Sequence, residues 1–203
     1  MVLFRGPCLC CIWRPHVSQH YTNRKMLWRK KEKSSKEYRC TSCGQIHKEL
    51  PALGFMTPFH FDILSERDKN EIAEISEDLC IIHDPEQTDR FIRTVLSIRV
   101  HDTCETLDYG IWVSLSQQSF EDYQKNFKSE TNEPIYFGMI CNEIKDYSES
   151  TLGLHVNVQV RKGGIRPEIL PHQAKHQLIK DWENGITLEE AEKRIEKAIN
   201  NVG

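Results

Sequence analysis

Residues 155–160 read H-V-N-V-Q-V, with Val156, Val158 and Val160 at the two-residue period of a strand that buries one face. A strand of that kind needs neighbours, and the sequence offers five more candidates: 79–83, 91–100, 109–115, 135–141 and 165–170. Within 91–100 the apolar run leaves only Arg93, Ser97 and Arg99 to face water, and YGIWVSL at 109–115 has the character of a central strand. Pro167 interrupts the last candidate and places it at a sheet edge, where a missing N–H does least harm.

Helices sit at the margins of this strand-rich stretch. Ser65 with Asp68 three residues on predicts a helix over 66–76, and Ser116 predicts another over 119–127 with Phe120, Tyr123 and Phe127 inward. Two more close the chain. One covers 173–183 and is stopped by Asn184-Gly185, and the other opens on the capping box Thr187/Glu190 with Leu188, Ala191, Ile195 and Ala198 or Ile199 on its inner face. The pattern predicts an α+β fold, an antiparallel or mixed sheet with flanking helices and a small N-terminal Cys-x-x-Cys turn. Regular strand–helix alternation and a phosphate-cradling glycine loop are both missing, which disfavours a doubly wound nucleotide-binding fold.

Charge divides the chain. Residues 1–39 hold ten Lys/Arg against two Glu, a net of +8; residues 40–203 hold 17 against 28, a net of −11. Residues 1–36 have no sustained period and read as a basic, disordered extension, with 37–203 as one domain. The acidic body repels phosphate, so nucleic acid is disfavoured and the partner is expected to be a protein or small molecule. No stretch has the length and apolarity of a membrane span. Five of the eight cysteines, Cys40, Cys43, Cys80, Cys104 and Cys141, lie in the body. An odd number without an export signal points to thiols in a reducing compartment and a cytoplasmic location.

Cys40-Thr41-Ser42-Cys43-Gly44 has the spacing of half a zinc site, and His47 follows four residues later. A structural zinc wants four ligands, so Cys80, the next body cysteine, is the expected fourth; His60, His83 and Cys104 are weaker substitutes. The expected knuckle spans 38–50. The same pair could be a redox dithiol, which would want a helix N-terminus to lower one thiol pKa, but the chain here runs toward Pro51. Unligated thiols are the remaining alternative. No HExxH or similar ligand-plus-base pattern argues for catalysis by such a metal.

Among other polar residues, Arg93 lies in an apolar strand, while Arg166 and His176 flank the last strand and helix. Were the three to converge, two guanidinium forks and an imidazole could hold a carboxylate or other anion. The competing reading puts Arg93 on the wet side of the sheet and pairs Arg166 with a carboxylate. No G-x-S-x-G elbow accompanies Ser114 or Ser116.

From Tyr38 onward the chain resembles the DUF2199 family, a bacterial domain of unknown function. The blocks that carry the likeness are CTSCGQIHKELP at 40–51, DLCII at 78–82, FIRTVLSIRV at 91–100, YGIWVSLSQQSF at 109–120, PIYFGMI at 134–140 and RPEILPHQAKHQLIKDWENGIT at 166–187. Thr94, Tyr109 and Gln177 depart from the usual family residues. The resemblance implies no reaction, though it matches Cys40, Cys43, His47 and Cys80 to recurring pattern positions. Three functions follow as expectations: a zinc-stabilised binding or structural domain, an enzyme with a polar pocket around Arg93, Arg166 and His176, or an acidic toxin-neutralising partner protein.

Overall fold

The computed structural model describes residues 50–101, 103 and 105–200, together with the backbone of two short strands, β1 (Tyr38–Arg39) and β2 (Ile46–His47), which pair antiparallel. Residues 1–37, and with them the expected extension, lie outside that description, as do Cys40, Cys43 and Cys104.

The body is an α+β fold on one mixed sheet. Its strands are β3 (Leu53–Gly54), β4 (Ala73–Ile75), β5 (Leu79–His83), β6 (Thr88–Arg99), β7 (Thr106–Leu115), β8 (Ile135–Ile140), β9 (His155–Gln159) and β10 (Glu168–Pro171). The long β6–β7 hairpin is antiparallel from Phe91↔Ser114 to Arg99↔Thr106. From β7 the sheet passes through β8 and β9 to β10, and β10 returns parallel to β6 at Glu168↔Val95. These five strands close into a barrel-like ring. Outside it, β3 adds to β7, and β5 and β4 add in turn to the first half of β6.

Strand period sorts the core. Ile92, Leu96 and Ile98 of β6 share one cluster with Tyr109, Ile111 and Val113 of β7 and with Val156 and Val158 of β9. The opposite face of the hairpin carries Phe91 and Trp112, which pack with Cys80, Ile82 and Cys141 under α1 (Phe59–Asp62) and α2 (Glu66–Glu71). The first cluster is covered by α3 (Gln117–Asn126), α4 (Gln177–Asn184) and α5 (Leu188–Asn200).

Three expectations need adjustment. The helix predicted over 66–76 ends at Glu71, because Ala73–Ile75 leave it to pair with β5. The helix predicted from 173 begins at Gln177, where His176 supplies its cap. β10 is no edge strand: it pairs on both sides, and Pro167 is tolerated because its carbonyl accepts from Val95 N–H at 2.9 Å while its own missing donor is not called on. Ser65 and Ser116 cap α2 and α3 as their positions predict.

Gly138 is where β8 crosses the ring most tightly. A Cβ there would sit 2.4 Å from Val113 Cγ1 and 2.8 Å from Ser114 O. The second contact is backbone and cannot yield by a rotamer change. Gly138→Ala is therefore expected to lower stability by roughly 3 kcal/mol in urea unfolding, and Val113→Ala added to it should recover only part. A change below about 0.5 kcal/mol would mean the strands part easily here.

Candidate functional site

The zinc-stabilised reading is corrected by the fold. Among the described residues no three His, Cys, Asp or Glu side chains gather closely enough to hold a metal ion. Alternation along β5 turns Cys80 inward, fully buried among Ile82, Phe91 and Trp112. Burial there, with Asp62 nearby, pushes its thiol up to about 12, so it is a protonated core group rather than a thiolate ligand. Two of the substitutes have other partners: His60 stacks on Phe91 with ring centroids 5.3 Å apart, and His83 Nε2 meets Glu74 Oε1 at 3.0 Å, while Cys104 lies outside the described residues. Of the expected ligands, Cys40, Cys43 and the side chain of His47 lie outside the described residues.

Arg93 and Arg166 approach one short acidic turn. Arg166 pairs through Nε with Asp78 at 2.6 Å and through Nη2 with Glu77 at 2.8 Å. Arg93 is buried on the Phe91 face of β6, its guanidinium 6.0 Å from the Trp112 ring and its Nη1 directed at Glu77 O. Burial and the Arg166 charge lower its pKa, and Asp78 and Glu77 oppose them. His176 belongs to a different neighbourhood. It caps α4, accepting Leu178 N–H at Nδ1 (3.0 Å), which leaves Nε2–H to donate to Glu149 O at 3.2 Å. Its ring stands edge-on to Tyr147 at 5.6 Å.

Beside His176 opens a cleft of about 510 Å³, which the sequence reading did not foresee. Three segments build it. The corner between α4 and α5 is pinned to the end of β6 by Ile186 N–H to Arg99 O (2.9 Å) and His101 N–H to Ile186 O (2.8 Å). Gly185, at φ +84°, makes that approach feasible, since a Cβ would lie 2.8 Å from Arg99 O. The 144–148 loop forms the facing wall and is held by Thr151, which accepts Ile144 N–H and donates to Asn142 O. Thr187 accepts Glu190 N–H and starts the helix that brings Arg194 to the cleft.

Arg194, only 6% exposed, is shared three ways. Its Nη2 donates to Asp181 Oδ2 (2.6 Å), Nη1 to Tyr147 Oη (2.9 Å) and Nε to Glu190 Oε1 (2.9 Å). Gln177 Nε2 donates to the other Asp181 oxygen at 2.7 Å. Asp146 accepts from Tyr109 Oη at 3.0 Å and from Lys197 at 3.3 Å. Burial works against the Arg194 charge, but Tyr109, Tyr147, Asp181 and Glu190 outweigh it and hold its pKa above the ordinary value. Tyr109 and Tyr147 are pushed up, first by burial, with Asp146 adding for the former and Asp181 for the latter.

One sequence signal for this site was available. Asp181 stands three residues after Leu178, and Arg194 three after Ala191, so each occupies an inward position of an amphipathic stripe. Opposite charges at inward positions of consecutive helices mark a buried pair. Asp146, Tyr147 and Tyr109 carry no such signal, because a loop and a strand bring them in.

Fold and cleft define an α+β protein with a barrel-like sheet and a polar, charge-lined cleft against its terminal helices. The chain belongs to the DUF2199 family, described as an uncharacterized protein conserved in bacteria, whose family model matches residues 39–186. That span includes Asp146, Tyr147 and Asp181, while Glu190 and Arg194 follow it. No curated protein and no solved structure matches the chain. No helix among the described residues is long and apolar enough to cross a membrane.

Two outcomes follow. Asp181→Asn should cost roughly 2–3 kcal/mol, because it leaves Glu190 as the one carboxylate still bonded to the buried Arg194 charge, whereas Asp181→Leu with Arg194→Met should cost clearly less than the summed single changes in a double-mutant cycle. Alkaline pH should destabilise the fold. Burial raises Cys80 to about 12 and Cys141 to about 11, so these thiols stay protonated after their unfolded counterparts ionise above the ordinary 9.0. Their contribution is full below pH 9 and is lost as pH rises toward about 12, a decline the buried tyrosines reinforce. Urea midpoints measured from pH 8 to 11 check this; a flat profile would refute it.

Proposed function

We propose that the chain is a small-molecule-binding domain that receives a polar ligand in the cleft between the 144–148 loop and the α4–α5 corner. The observation that supports this most is the Arg194 guanidinium, divided among Asp181, Glu190 and Tyr147 in the wall of an open cleft. Buried ion pairs are poor sources of stability, since well-packed apolar residues of similar volume do as well or better. A charged network fixed beside a cleft is instead the usual arrangement of a site that recognises polar groups. The network is rigid, because each charged side chain already has its orientation set by another.

The neighbouring groups suit the same purpose. His101, Ser148 and Thr187 line the opening and can donate or accept with little rearrangement. His176 acts one step removed: by capping α4 it orients Gln177, whose amide fixes Asp181. Arg93 and Arg166 serve in this reading as staples of the Glu77–Asp78 turn rather than as ligand contacts.

A screen of polar fragments and metabolite-like compounds by ligand-observed NMR tests the proposal. Binders should compete for one site and be lost, at least about tenfold in affinity, in Glu190→Gln and Ser148→Trp. Ser148→Trp fills the cleft without touching the Arg194 network, and Glu190→Gln removes one charge while its amide oxygen can still accept from Arg194 Nε; melting temperatures check that both variants stay folded. Binders unaffected by either change, or a screen with no binder at all, would overturn the assignment.

A further inference from the structure

The charges around the cleft favour a ligand of one sign. Three carboxylates, Asp146, Asp181 and Glu190, line it against one guanidinium, Arg194, for a net −2 with His101 taken neutral. Lys197, 3.3 Å from Asp146, offsets one of these charges and divides its ammonium with Lys145 O. The other lies on Glu190. Its Oε1 accepts from Arg194 Nε, but that guanidinium is also committed to Asp181 through Nη2 and to Tyr147 through Nη1. Its Oε2 faces Lys193 at 3.8 Å, a loose pair on a side chain 77% exposed, which solvent largely screens. The Glu190 side chain is itself 37% exposed, against 6% for Arg194 and 8% for Asp181, so the charge a ligand meets first is a carboxylate.

We infer that the ligand of this cleft is a small organic cation with N–H donors, a primary amine or a guanidinium, held by Glu190 and the Ser148 and Thr187 hydroxyls. The inference rests on the cleft being the binding site and adds the sign and donor type of what enters it. A cleft of about 510 Å³ takes a molecule of metabolite size. Carboxylates also recruit metal ions, but among the described residues no three His, Cys, Asp or Glu side chains gather closely enough for one. A molecular cation needs no such convergence, since each N–H requires one oxygen.

An anion fares worse on two counts. The amino end of α5 would ordinarily favour one, but its first turn carries Glu189 and Glu190, and Thr187 already accepts the Glu190 and Ala191 N–H groups. Beyond the cleft, residues 40–203 carry a net −11, a field that draws cations in and turns anions away.

Ligand-observed NMR on the full chain tests the sign with cadaverine and agmatine as cations, and with pentanediol and glutarate as the neutral and anionic counterparts of cadaverine. The cations should bind at least about tenfold more tightly than pentanediol, and glutarate more weakly still. Glu190→Gln, which keeps the shape and removes the charge, should weaken both cations at least about tenfold, and Ser148→Trp should abolish their binding. Cations bound equally well by Glu190→Gln overturn the inference. Neutral or anionic binders that are lost in Ser148→Trp, while cadaverine and agmatine fail to bind, overturn it too but leave the binding-domain reading standing. No binder among these probes or in the wider fragment screen removes both.

Discussion

The β6–β7 hairpin is the member on which the rest of the molecule is hung. Nine residues of each strand pair without interruption, and each strand's other edge is shared between two different neighbours. β6 gives its first half to β5 and its middle to β10, while β7 gives its middle to β3 and its end to β8. Strong twist in a long two-stranded ribbon makes this sharing feasible, because the two halves of one strand face different directions. The ring closes around one face of the hairpin, with Ile92 and Val113 inside it, and the small apolar cluster around Phe91, Trp112 and Cys80 grows on the other face.

That division also decides where charge can lie. On one face of β6 the residues Ile92, Leu96 and Ile98 join the core under α4 and α5; on the other, Arg93 follows Phe91 into the smaller cluster. His176, at the start of α4, therefore stands on the first side, and Arg93 with the Arg166–Asp78 pair on the second. Sequence order made the three look like one group, since a strand and a helix separated by a turn are often neighbours. A period of two along a single strand was enough to send them to different surroundings.

Much of the architecture was legible because it rests on local pattern. The alternation at 155–160, the serine caps before α2 and α3, and the Thr187 cap before α5 each act within a few residues, and each appears where the pattern put it. Ring closure was not legible, because one parallel pairing between β10 and β6 joins residues 73 positions apart and leaves no trace in composition. Pro167 actively misled. Its usual confinement to edges follows from the N–H it lacks, whereas in this pairing only its carbonyl is required. The Cys80 assignment failed for a related reason: spacing shows which thiols a turn could reach, but the pleat decides which way a strand's thiol faces.

The cleft teaches the complementary point. Thr187 and Glu190 have the spacing of a reciprocal cap, yet only half of it forms, because the Glu190 carboxylate turns to Arg194 one turn along. Arg194 in turn takes an inward stripe position that an alanine or leucine would fill with less desolvation, and Asp181 does the same on α4. Two neighbouring helices thus each give up an apolar contact at the place where they meet the 144–148 loop. Packing alone offers no return for that exchange, since the pair's attraction roughly cancels the cost of removing both charges from water. In the proposed reading the compensation comes from what an oriented guanidinium and its carboxylates can do at an open surface, which is to present fixed donors and acceptors to a ligand.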